Sequence, residues 1–136
     1  MDRVVVAAVL IAVVAVVAVV VSRRRTDAPT QPKWRVPTQL DRADFARPTA
    51  PWLVVVFTSA TCAGCHEVVD AAEPLAGDAV AVDAVEVTAR RDLHERYSID
   101  AVPTLVVADA EGTVVASYVG PVSAAELSTR VDELRG

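Results

Sequence analysis

Apolar and polar positions divide the chain into two unlike parts. From Val4 to Val21 every residue is Val, Ala, Leu or Ile, eighteen positions without a polar side chain. A helix of that length is about 27 Å long, close to the roughly 30 Å hydrocarbon core of a bilayer. Valine is a weak helix former in water, but in lipid an unpaired backbone group costs several kcal/mol, so a helix is predicted regardless. The stretch is too long for the apolar region of a secretory signal, and no small-x-small cleavage pattern follows it. It stops at Ser22-Arg23-Arg24-Arg25. Residues 4–21 therefore read as an uncleaved transmembrane anchor that contacts the lipid bilayer.

Beyond residue 37 the pattern becomes short blocks of alternating type. Asp41 to Arg47 reads as a short polar helix ending before Pro48. Trp52 to Phe57 is a continuous apolar run rich in β-branched residues, as a central strand buried on both faces requires. Residues 63–76 have helical spacing, with Val68, Val69, Ala72 and Leu75 able to share one face and Pro74 ending or kinking the last turn. Val80 to Val87 reads as a second buried strand, and Arg90 to Tyr97 as a helix. Thr104 to Ala108 and Thr113 to Val119 flank Asp109-Ala110-Glu111-Gly112, a hairpin signal with glycine at the turn. Ser123 and Glu126 form a capping box before a helix striped by Leu127, Val131 and Leu134. With a first strand near Val36, the order is β-α-β-α-β-α-β-β-α. The strand–helix–strand units predict parallel pairing, and the late hairpin adds an antiparallel edge.

Charge sharpens the division. Ahead of the apolar run stands Arg3, partly offset by Asp2; behind it stand Arg23, Arg24 and Arg25, then Lys33 and Arg35. The positive-inside rule puts the richer flank in the cytoplasm, so the domain is expected on the cytoplasmic face, with the extracytoplasmic face as the alternative. Residues 22–37 hold Pro29, Pro32 and Pro37 among polar residues and read as a tether. Residues 38–136 carry seven arginines against sixteen Asp and Glu, a net charge of −9. No basic patch interleaved with aromatics is present, which argues against a nucleic-acid partner.

The chain has two cysteines, Cys62 and Cys65. They directly follow a predicted buried strand and open a predicted helix, the context in which a CxxC is informative. Residues three apart on a helix are neighbours, so the two sulfurs can reach each other. Free N–H groups and the dipole at a helix start favour an anion. Cys62 is thus expected to have a lowered thiol pKa and to attack, with Cys65 one turn deeper resolving the mixed disulfide. His66, four residues after Cys62, could tune that thiolate; the competing reading is a solvated surface histidine. Glu67, Asp70 and Glu73 read as the solvated face of the same helix.

The stretch from about residue 36 to the end resembles the thioredoxin family. The resemblance rests on Val54-Val55-Val56-Phe57-Thr58-Ser59 leading into Thr61-Cys62-Ala63-Gly64-Cys65. It rests also on Tyr97-Ser98-Ile99-Asp100-Ala101-Val102-Pro103-Thr104, and on Glu111-Gly112-Thr113-Val114-Val115 running to Val119-Gly120. It implies a thioredoxin fold, a central mixed sheet flanked by helices, and a redox-active Cys62–Cys65 disulfide. It also implies a cis-proline, Pro103, lying against that disulfide, with the backbone of Val102 pairing with substrate. Departures from the family pattern are Thr61 where tryptophan is usual, Ala63-Gly64 as the dipeptide, Val56 where a buried acid is kept, and Ala84 where a lysine often pairs with it.

Taken together, the expected organisation is a transmembrane anchor at 1–22, a tether at 23–37 and a thioredoxin-like domain at 38–136. The expected activity is dithiol–disulfide exchange with protein thiols and disulfides, fed by an upstream redox partner. A monomer is expected, and no metal or organic cofactor is called for. Other readings stay open. Cys62 to His66 also spells the CxxCH attachment motif of c-type haem, with His94 the sole other histidine. Zinc would use the same cysteines and histidines but lacks a second CxxC. A thioredoxin-like binding module with little redox work is the remaining alternative.

Overall fold

The computed structural model describes residues 2–23 and 34–136. Arg24, Arg25, Pro29, Pro32 and Lys33, on which the tether and part of the charge asymmetry rest, lie outside the described residues. Two compact units are distinguished, Met1–Lys33 and Trp34–Gly136.

In the first, helix α1 (Arg3–Arg23) contains the whole apolar run. Its Arg3–Val20 span is long and apolar enough to cross a membrane. Val4, Leu10, Ile11 and Val14 are among its many exposed side chains.

The second unit is built on strand β1 (Trp52–Thr58). Leu53 to Phe57 are fully buried, because alternate residues face two separate apolar layers. Burial of each such side chain is worth about 1.5–3 kcal/mol before chain entropy is counted. Strand β2 (Val80–Glu86) pairs parallel with β1; β3 (Thr104–Ala108) pairs antiparallel with β1, and β4 (Val114–Val119) antiparallel with β3. The sheet order is β2-β1-β3-β4. Helix α2 (Cys65–Ala72) and helix α4 (Ala124–Arg135) cover one face, packing Val68, Ala72, Leu127 and Val131 onto Val54, Val56 and Leu105. Helix α3 (Arg91–Arg96) and the chain before β1 cover the other, with Leu40, Phe45 and Leu93 against Val55 and Phe57. The mixed sheet with flanking helices is the expected fold class.

Several details depart from expectation. The first strand near Val36 does not form; the segment makes one isolated bridge, Gln39 with Thr113, flanked by bonds from Leu40 N to Gly112 O and from Val114 N to Thr38 O. Pro37 has no N–H to extend the ladder. The Asp41–Arg47 helix shrinks to one 3-10 turn, Arg42–Asp44, because Phe45 turns extended and packs its ring against Phe57 and Tyr97, at 6.4 and 5.7 Å. Strand β2 lies at the sheet edge, so Ala84 is exposed and β2 is only partly buried. Strand β3 runs against β1 rather than with it. A parallel return needs a connection spanning the strand, about 20 Å, whereas six-residue α3 rises only about 9 Å. The chain therefore starts β3 at the end where β2 finished. Helix α2 begins at Cys65, not at residue 63, and Pro74 falls in a 3-10 turn, Glu73–Leu75, that ends it.

Candidate functional site: a cysteine pair at the start of helix α2

Strand β1 delivers the chain to one end of the sheet, and the turn that follows carries Cys62. The Cys62 N–H donates to Ser59 O at 3.1 Å, and the Ser59 and Thr61 hydroxyls lie 3.1 Å apart. Gly64 stands at the N-cap without a capping side chain, so the first amides of α2 have no side-chain acceptor from the cap. The Cys62 and Cys65 sulfurs are joined, with Cα atoms 5.5 Å apart. Cys65 is buried at 3% exposure, packed beneath the turn, while Cys62 is half-buried. Cys62 is thus the more accessible residue of the pair.

A cavity of ≈ 190 Å³ opens beside the pair, lined by Thr58, Ser59, His66, Val69 and Glu86 together with both cysteines. His66 is at its border, but Cys62 precedes the helix, so the two do not share a helical face as expected. The imidazole is 87% exposed and stands 3.6 Å from Asp70, one turn further along α2. His94 is elsewhere: it is buried on α3, donates from Nε2 to the Val85 carbonyl at 2.8 Å, and meets the edge of the Phe57 ring at 5.3 Å. That bond commits His94 to the core and removes it as a second axial ligand or zinc ligand. Among the described residues, no group of three or more His, Cys, Asp or Glu is arranged to hold a metal ion.

Val102 and Pro103 are joined by a cis peptide bond just before β3. Phe57 pairs with Thr104, so this bond lies at the same end of the sheet as the cysteine turn. Pro103 is buried and its carbonyl accepts from Gly120 N at 2.9 Å. Among the described residues, neither backbone group of half-buried Val102 has a hydrogen-bond partner. Val56 and Ala84 are direct partners across β1 and β2, and neither carries charge. No acid–base pair occupies those two positions.

Glu86 is the site residue that sequence reasoning passed over. Its carboxylate accepts from Thr88 N at 2.8 Å, Ala89 N at 2.9 Å and Ala60 N at 3.3 Å. Those bonds, led by the one from Thr88, hold the Glu86 carboxyl below the usual glutamate range. The signal that could have found it is register: in a parallel pair Glu86 falls level with Thr58, the last residue before the cysteine turn. Another recess, ≈ 650 Å³, lies at the opposite end of the sheet, by the β3–β4 turn and Tyr97. Beside it Arg96 pairs with Asp41 and Asp44, and Tyr97 donates to Asp44.

Comparisons with known proteins agree with this geometry. The sequence profile of the family described as "Thioredoxin-like domain" matches residues 40–135. Among solved structures, the chain is similar to a reduced thioredoxin pre-protein of Schistosoma mansoni, at 24% identity and TM-score 0.52, covering 62% of this chain and 80% of that one. It is similar also to a mutant thioredoxin from Halobacterium salinarum, at 26% identity and TM-score 0.54, covering 62% of this chain and 74% of that one. No curated protein sequence matches it. With the sheet, the flanking helices, the joined CxxC pair and a family profile over most of its length, the chain belongs to the thioredoxin family and is of thiol–disulfide oxidoreductase kind.

Proposed function

We propose that the protein is a membrane-anchored oxidoreductase that exchanges dithiol for disulfide with protein substrates through Cys62 and Cys65. The observation that carries the reading is the asymmetry of the pair at the start of α2, with Cys62 half-buried and Cys65 at 3% exposure. In the reducing direction the Cys62 thiolate attacks one sulfur of a substrate disulfide. That bond breaks, and the departing substrate sulfur takes a proton. Cys65 then loses its proton and attacks the Cys62 sulfur, releasing the second substrate thiol and closing the Cys62–Cys65 bridge. Two electrons and two protons pass to the substrate, and an upstream dithiol restores the protein by the reverse steps. The exchange uses only sulfur chemistry and needs no cofactor.

Within this reading, unpartnered Val102 offers its backbone to an extended substrate segment and buried Pro103 shapes the floor of the groove. His66, at the cavity border, tunes the Cys62 thiolate. An unchanged Cys62 pKa in a His66→Ala variant removes it from the mechanism. Helix α1 holds the domain at a bilayer, as a monomer, with Arg23–Arg25 favouring the cytoplasmic side. There a reducing pool would keep the pair as a dithiol donor. Thiol-label or protease access to the domain in intact cells decides the side.

Insulin reduction in the presence of dithiothreitol tests the activity. Turnover is expected from the full chain and its loss from Cys62→Ser. A competing reading, a tethering module with little redox work, draws on the uncharged Val56–Ala84 pair. Folded wild type that never outpaces Cys62→Ser establishes that reading instead.

A further inference from the structure

We infer that Glu86 is a positioning residue for the redox pair, bracing the turn that delivers Cys62 and holding a fixed negative charge beside the two sulfurs that opposes the Cys62 thiolate. The inference rests on the exchange reading above and deepens it.

Three observations carry it. Glu86 and both cysteines line one cavity of ≈ 190 Å³, and the Glu86 carboxylate bonds an amide of the turn that carries Cys62. The carboxylate is not free to swing away: one oxygen accepts from Ala60 N, two residues before Cys62, and the other from Thr88 N and Ala89 N in the loop after β2. The backbone adds a bond from Val87 N to Thr58 O alongside. The loop after β2 and the cysteine turn are thus tied together through this one side chain. Thirdly, Glu86 is the only carboxylate among the residues lining that cavity.

The other groups around the cavity do not cancel it. Strand β1 and its turn contribute Thr58, Ser59 and Ala60, none of them charged at neutral pH. Helix α2 contributes His66, whose imidazole stands by Asp70. Arg90 bonds the Glu86 carbonyl through its backbone but turns its guanidinium to Asp92. Opposed effects therefore meet at Cys62: the amides at the start of α2 favour the thiolate, as His66 does in the exchange reading, and Glu86 disfavours it. A dithiol form stabilised as thiolate makes an oxidant, so a charge that opposes the thiolate biases the protein toward giving electrons.

The test is the alkylation rate of Cys62 by iodoacetamide against pH, in the full chain in detergent with Cys65→Ser leaving a single thiol. Glu86→Gln removes the charge and keeps the size. The Cys62 pKa is expected to fall by about half to one pH unit, roughly three- to tenfold more thiolate below the pKa. Glu86→Asp, which keeps the charge, stays close to the parent. A merely structural role would lower melting temperatures and leave the pKa alone. An unchanged or raised Cys62 pKa in a folded Glu86→Gln protein overturns the inference. Should that variant not fold, salt takes its place: raising KCl from low concentration to 1 M screens the carboxylate, and the Cys62 pKa of the Glu86 parent is expected to fall. A constant or rising value overturns the inference equally. The exchange reading fails separately, by absent insulin turnover, since the pKa measurement needs no substrate.

Discussion

Returning an acid to position 56 probes the departure from the family pattern directly. Val56 is fully buried on β1, between Ala84 of β2 and Leu105 of β3, and packs in the layer that holds Val68 and Ala72 of α2. In Val56→Asp the lost apolar burial costs about 1.5–3 kcal/mol at any pH. Ionisation adds a second cost. Burial among aliphatic side chains raises a carboxyl pKa, here by about 3 units from the unfolded value near 3.9. A folded pKa above the unfolded one penalises the native state as pH rises. The added penalty is about 1 kcal/mol at pH 4.5 and about 4 kcal/mol at pH 8, a difference of roughly 3 kcal/mol. Thermal unfolding of variant and parent, followed by circular dichroism at both pH values, reads this difference. For a domain of this size it corresponds to roughly 12–24 °C more depression of Tm at pH 8 than at pH 4.5. A lysine at exposed Ala84, the cross-strand partner, is expected to return about 1–2 kcal/mol at pH 8 and almost nothing at pH 4.5. Equal Tm deficits at the two pH values would refute the argument, since they would mean that position 56 is solvated or that the acid finds an internal partner.

Further outcomes follow from other parts of the domain. Gly112 has φ +82°, and a Cβ there would collide with the Leu40 carbonyl; Gly112→Ala is expected to cost about 3 kcal/mol or more, read as loss of Tm. Ser123 caps α4 by accepting from Glu126 N at 3.1 Å, so Ser123→Ala should cost about 1 kcal/mol and lower Tm by roughly 4–8 °C. Burial, and after it the hydrogen bond donated to Asp44, hold the Tyr97 phenol above the usual tyrosine range. Stability from that bond is complete below the unfolded pKa near 10 and disappears as pH rises through the folded one; ultraviolet titration of a Tyr118→Phe protein should show Tyr97 ionising late, with unfolding close behind.

Local pattern was enough for much of this protein. A run of eighteen aliphatic residues has one outcome in lipid and a helix is it, and Trp52–Phe57 can only be satisfied between two apolar layers, which is where β1 lies. The placement of Cys62 and Cys65 between that strand and a helix, the cap at Ser123, and the hairpin turn at Gly112 are likewise legible because each depends on neighbours within a few residues. Tertiary structure decided what depends on distant partners. The direction of β3 follows from the shortness of α3, and the exposure of Ala84 from β2 having one neighbour rather than two. His94 left the site because a carbonyl on β2 claimed its Nε2, and Glu86 entered it because strand register set it level with Thr58. Periodicity reports which side of an element is apolar; which elements meet, and at what level, is set by closure of the chain on itself, and no local pattern carries that information.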